Sequence, residues 1–98
     1  MIDLTKAAEI IKEYTKDIRW GTTRDDFQAS VPVPQESDLF VMFLKCDIDG
    51  LQMENVEKVE TANPNNHIQV TNWKDNPLVA AKFDEIKEKV NRLDREPY

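Results

Sequence analysis

The chain has one cysteine, one histidine and two glycines among its 98 residues. A lone thiol, Cys46, excludes an internal disulfide framework and fits a reducing cytoplasm. Cys46 and His67 are far apart in sequence, and no CxxC, HExxH or His-rich cluster accompanies them. The three or four closely placed ligands of a zinc site are therefore missing. There is also no glycine-rich phosphate loop and no GxSxG turn, so we expect no metal and no cofactor. The longest apolar run, Leu39 to Leu44, is far short of the roughly 18 residues of a membrane span. The opening Met-Ile-Asp-Leu-Thr-Lys lacks the basic-then-apolar pattern of a signal peptide, which points to a cytoplasmic protein.

The residues that are present suit one globular domain over 1–98: 40% are hydrophobic and 33% charged. Leu4, Ala7, Ala8, Ile11, Tyr14 and Ile18 recur at helical spacing behind Asp3 as N-cap. This predicts a first helix running to about Ile18, ended by Trp20–Thr23 with Gly21 as a left-handed cap. Phe27, Ala29, Val31 and Val33 alternate with polar residues and predict a strand with one buried face. Pro32 and Pro34 confine that strand to an edge, or end it there.

Leu39 to Ile48 predicts a central strand. Phe40, Met42, Leu44, Cys46 and Ile48 share one face, and Leu39, Val41 and Phe43 the other. Cys46 on that apolar face reads as a buried structural thiol rather than a nucleophile. Asp49-Gly50 predicts a positive-φ turn. Residues 51–62 fit a short helix or a polar strand over Val56–Thr61; we favour the strand. A turn at Asn63–Asn66 and a further strand over His67–Trp73 follow, with Ile68 and Val70 on one face. Asn76 as cap, Pro77 at the first helical position and Val79, Phe83, Ile86, Val90 and Leu93 predict a last helix that Pro97 stops. The expected fold is α+β: an antiparallel sheet of three to four strands flanked by an N-terminal and a C-terminal helix, in the order α-β-β-β-β-α.

Charge separates the regions. Residues 25–60 hold nine carboxylates (Asp25, Asp26, Glu36, Asp38, Asp47, Asp49, Glu54, Glu57 and Glu60) against Lys45 and Lys58, a net of −7 in a chain of −6. One reading is a solvated sheet guarded against aggregation by charge. The sharper reading is an acidic surface, Asp25, Asp26, Asp47, Asp49, Glu54, Glu57 and Glu60, that docks on a basic protein. Its most concrete form is a non-enzymatic inhibitor that mimics nucleic acid on a DNA- or RNA-binding protein. The likeness to small acidic inhibitors is one of composition, with no motif behind it. Direct binding to nucleic acid or to an anionic membrane is disfavoured by the same charge.

Two other classes follow from other residues. If both helices cover one sheet face, Leu39, Val41 and Phe43 on the other call for a homodimer or a partner, as a chaperone or immunity-type protein would use them. An enzyme would centre on Asp47 and Asp49 with His67 as base. Asp47-Ile48-Asp49-Gly50 also resembles part of a calcium loop, but the position that needs the bidentate Glu is Lys58.

Overall fold

In a computed structural model of the chain, residues 1–36, 38–62 and 68–94 are described. Helix α1 (Leu4–Ile11) is followed by four strands: β1 (Ile18–Trp20), β2 (Asp26–Pro34), β3 (Leu39–Asp47) and β4 (Val56–Thr61). Helix α2 (Pro77–Asn91) comes last. The strands form one antiparallel sheet in the order β1-β2-β3-β4. The architecture is therefore the expected α+β order, but two of its elements differ from the sequence reading.

The first difference is the end of α1. The Asp3 carboxylate accepts from the Thr5 and Lys6 amides, and Ala7, Ala8 and Ile11 are buried, as the spacing predicts. The helix then stops. The Glu13 and Tyr14 amides fall back on the carbonyls three residues earlier, and the Asp17 amide donates to the Thr15 hydroxyl. Ile18–Trp20 extends along β2 instead, pairing Ile18 with Ala29 and Trp20 with Phe27. A strand satisfies backbone on the β2 edge that a helix would leave open: the Ser30 amide donates to the Asp17 carbonyl at 3.1 Å.

Gly21 is accordingly no helix cap. The left-handed residue in that turn is Arg24, at φ 61°. Gly21 is instead a place of close approach, since a Cβ there would strike the Asp26 carboxylate.

The second difference is at 68–70, which forms no strand. The Thr61 amide donates to Ile68 and the Val70 amide to Val59, but this yields only an isolated bridge between Glu60 and Gln69. Ile68 is exposed, and Trp73 opens a 3-10 turn over Trp73–Asp75. β1 therefore supplies the fourth strand. The predicted turn at Asn63–Asn66, His67 and the stop at Pro97 lie outside the described residues.

The remaining elements follow their sequence signals. Asn76 caps α2 by accepting from the Leu78 and Val79 amides, and Val79, Phe83, Ile86 and Val90 are fully buried. Both helices pack on one side of the sheet, against Phe27, Ala29, Val31, Val33, Met42, Leu44, Cys46, Val56 and Val59. Pro32 and Pro34 lie beyond the reach of β1, which pairs only as far as Ala29. The Ser30 amide points toward the β1 side, so positions 32 and 34 point there too. Each proline thus stands where its missing donor would face an open edge.

Gly50 turns the chain after β3 at φ +88°. Its missing side chain makes room for Asn91, whose amide both accepts from the Leu51 N–H at 2.8 Å and donates to the Leu51 carbonyl at 2.9 Å. Ile48, expected in the core row of β3, falls beyond the strand in this turn and is exposed.

Candidate acidic surface and open sheet face

The alternation of β2 and β3 sends one set of side chains to the helices and the other to the opposite, uncovered side. On that open face stand Arg19 of β1, then Asp26, Gln28, Ser30, Pro32 and Pro34 of β2. Leu39, Val41, Phe43, Lys45 and Asp47 of β3 and Lys58 and Glu60 of β4 complete it.

The seven carboxylates singled out from the sequence differ in their surroundings. Asp26 and Asp47 are directly opposed in the β2–β3 register, which sets their Cα atoms about 4.5–5.5 Å apart. Asp25, just before β2, and Asp49, in the turn after β3, lie at the same end of the sheet, and Glu54 follows in a 3-10 turn over Met53–Asn55. Among the described residues, Asp25, Asp49 and Glu54 have no ion-pair partner.

The others have neighbours that temper their charge. Asp26 meets Lys45 at 3.2 Å, and Glu60 meets Lys58 at 3.0 Å. Asp47 accepts from the Asp49 amide at 2.9 Å, which is local turn stabilisation. Glu57 is the extra residue where the β3–β4 register shifts, and its carboxylate accepts from Gln28 across β3 at 3.3 Å. Composition reports charge but not these pairings, because they join residues up to 29 positions apart.

The apolar trio shares the open face with charge at its margins. Leu39 is 36% exposed, and Val41 and Phe43 are half-buried. The Lys58 ammonium lies 4.9 Å from the centre of the Phe43 ring. Pro32 stands opposite Val41 and Pro34 opposite Leu39, so the prolines extend the apolar patch. Sequence reasoning assigned them only an edge role, although their alternation with Val31 and Val33 already put them on this side.

A shallow cleft of about 130 Å³ opens on the same face, lined by Asp17, Arg19, Gln28, Ser30, Phe43 and Glu57. It is smaller than the roughly 300–1,000 Å³ of a small-molecule site. Of the enzyme reading, Asp47 ends β3 and Asp49 sits in the turn after it, and its base, His67, lies outside the described residues. Among the described residues no three His, Cys, Asp or Glu side chains are grouped to hold a metal ion, and no helix is long and apolar enough to cross a membrane.

Two clusters away from the sheet carry perturbed groups. The amino terminus is raised by its hydrogen bond to Asp94, at 2.8 Å. Tyr14 is raised by desolvation and then by Glu85, while contact with Tyr14 lowers Glu85 and raises Lys89. The Lys82 and Lys89 ammonium groups lie 5.5 and 5.0 Å from the Tyr14 ring centre. This cluster ties the turn after α1 to α2. Comparison with protein-family models, with curated proteins and with solved structures finds no match.

Proposed function

We propose that this protein is a small non-enzymatic interaction module that presents the acidic end of its sheet to a basic partner. The observation that carries the reading is the β2–β3 register. It opposes Asp26 to Asp47 and brings the turns bearing Asp25 and Asp49 to the same end. Carboxylates held at strand spacing on a rigid sheet resemble a row of phosphates in charge and in hydrogen-bond acceptance. The partner class this favours is the basic face of a DNA- or RNA-binding protein, with the module acting as an inhibitor that mimics nucleic acid. The compartment in this reading is the cytoplasm, where a lone thiol such as Cys46 stays reduced.

The residues to reverse are Asp25, Asp49 and Glu54, because no ion pair is lost with them among the described residues. Binding of the wild-type chain to a panel of basic DNA- and RNA-binding proteins is measured at about 50 and about 200 mM salt. An equally basic protein with no nucleic-acid role serves as control. Wild type is expected to bind members of the panel above the control and to weaken with salt, and the triple Asp25→Lys/Asp49→Lys/Glu54→Lys variant to lose at least about tenfold in affinity. Equal binding by the triple variant sinks the proposal.

A further inference from the structure

Both helices lie on one side of the sheet, and we infer that the open side receives an amphipathic helix of the basic partner. It lies along the strands, with an apolar half over the β2–β3 hairpin and a Lys- or Arg-bearing half over the acidic end. This rests on the acidic-end reading and deepens it, because it gives that partner a second, apolar contact and a secondary structure.

The apolar half of the site is assembled by strand pairing. Pro32 with Val41 and Pro34 with Leu39 are neighbours across the β2–β3 ladder, and Phe43 continues the row on β3. The patch is two strands wide, with about 4.8 Å between the strands, and one helix about 10 Å across covers it. β3 is paired on both sides over Phe40–Phe43, and Pro32 and Pro34 carry no amide hydrogen. The patch therefore offers side chains rather than main-chain donors, which suits a helix and not an added strand.

Charge fixes the other half. Each cation of the face already meets an acid: Arg19 meets Asp17 at 3.6 Å, Lys45 meets Asp26 at 3.2 Å and Lys58 meets Glu60 at 3.0 Å. At the acidic end the amino terminus is held by Asp94 at 2.8 Å, and Arg24 lies over Trp20, which packs on the core side. Among the described residues, Asp47 and Glu57 on the face and Asp25, Asp49 and Glu54 at its end have no ion pair. The uncompensated charge is all negative. All of it but Glu57, which stands beside Phe43 and Leu44, gathers at the end away from the hairpin. A row of cations there gains carboxylates without displacing an existing ion pair.

Length sets the size of the occupant. Nine residues in each of β2 and β3, at about 3.4 Å apiece, give a face about 30 Å long. That is the length of about 20 residues of α-helix. Leu39 to Phe43 takes roughly half of it, and the acidic end the rest.

A synthetic peptide of about 20 residues is the probe. One face carries Leu at helical spacing in the first half and Lys in the second, with Ala elsewhere. A control peptide of the same composition intermixes Leu and Lys along that face. In calorimetric titration at about 50 mM salt, wild type is expected to bind the ordered peptide at least about tenfold tighter than the mixed one. Val41→Asp adds a negative charge and is nevertheless expected to weaken the ordered peptide about tenfold, with an unchanged circular dichroism spectrum. Should that variant misfold, Leu39→Asp, at a more exposed position, replaces it. The Asp25→Lys/Asp49→Lys/Glu54→Lys chain is also expected to lose about tenfold.

Equal binding of the two peptides, or no binding of either up to about 1 mM, overturns the proposal. So does undiminished binding of the ordered peptide by the folded Val41→Asp or Leu39→Asp chain, or by the triple variant. If the triple variant loses binding to the DNA- and RNA-binding panel while Val41→Asp keeps the ordered peptide, the acidic-end reading stands and this one fails. A triple variant that keeps its panel binding sinks the acidic-end reading itself.

Discussion

Cys46 is fully buried between β3 and the helices, and its thiol is pushed up to about 12, first by burial and then by the charge of Asp47. An ordinary thiol ionises near 9, so in the unfolded chain it gives up its proton there while the folded chain still holds it. The folded state then binds more protons than the unfolded one. Stability from this site is intact below pH 9 and is lost as pH rises from about 9 toward about 12. At pH 8 the folded protein is expected to resist a thiol-specific alkylating reagent for as long as the chain in denaturant reacts fast. Mass spectrometry of the time course checks this, and rapid native labelling would show the thiol to be accessible.

Asn91 makes the opposite point about legibility. Its amide holds both backbone groups of Leu51. Nothing in the helical spacing of α2 singles it out, because its partner is 40 residues away.

At the scale of elements, long periodic segments were readable and short ones were not. α2 has Asn76, Pro77 and four buried positions over fifteen residues, and β3 alternates over nine. β1 has three residues. Ile18 follows Tyr14 at helical spacing and precedes Trp20 at strand spacing, so local pattern could not choose between them; the open backbone of β2 did. At 68–70 the alternation of Ile68 and Val70 was real, but only two main-chain bonds, Thr61 N–H to Ile68 and Val70 N–H to Val59, join the segment to β4.

The prolines of β2 were readable as an edge signal, and the fold gives them that work. Past Ala29, β2 has no strand neighbour on the β1 side among the described residues, and the prolines remove the donors a stray strand would use. Pro32→Thr/Pro34→Thr restores those donors beside an apolar patch. The double variant is expected to aggregate faster than wild type on heating, as measured by light scattering. Equal aggregation rates would mean that charge alone guards this edge.

For the whole molecule, net charge sorts the partners. Two copies at −6 repel through solvent, whereas a basic partner is attracted. Salt screens both effects within a Debye length of about 10 Å at 0.1 M. Raising salt is therefore expected to weaken binding to basic proteins. Affinity measurements over a salt series check the sign; binding that salt leaves unchanged would mean that the acidic end does not hold the partner.

The sequence by itself determined the α+β class, the position of α2, the two long strands and the −7 excess over residues 25–60, because each depends on local periodicity, capping chemistry or counting. Only the tertiary structure decided where α1 stops and which segment becomes the fourth strand. It also divided the carboxylates, leaving Asp25, Asp49 and Glu54 without ion pairs among the described residues while Lys45 and Lys58 meet Asp26 and Glu60. Strand register sets those pairings, and register is fixed by which faces pack against the helices, a relation between segments that no single stretch of sequence contains.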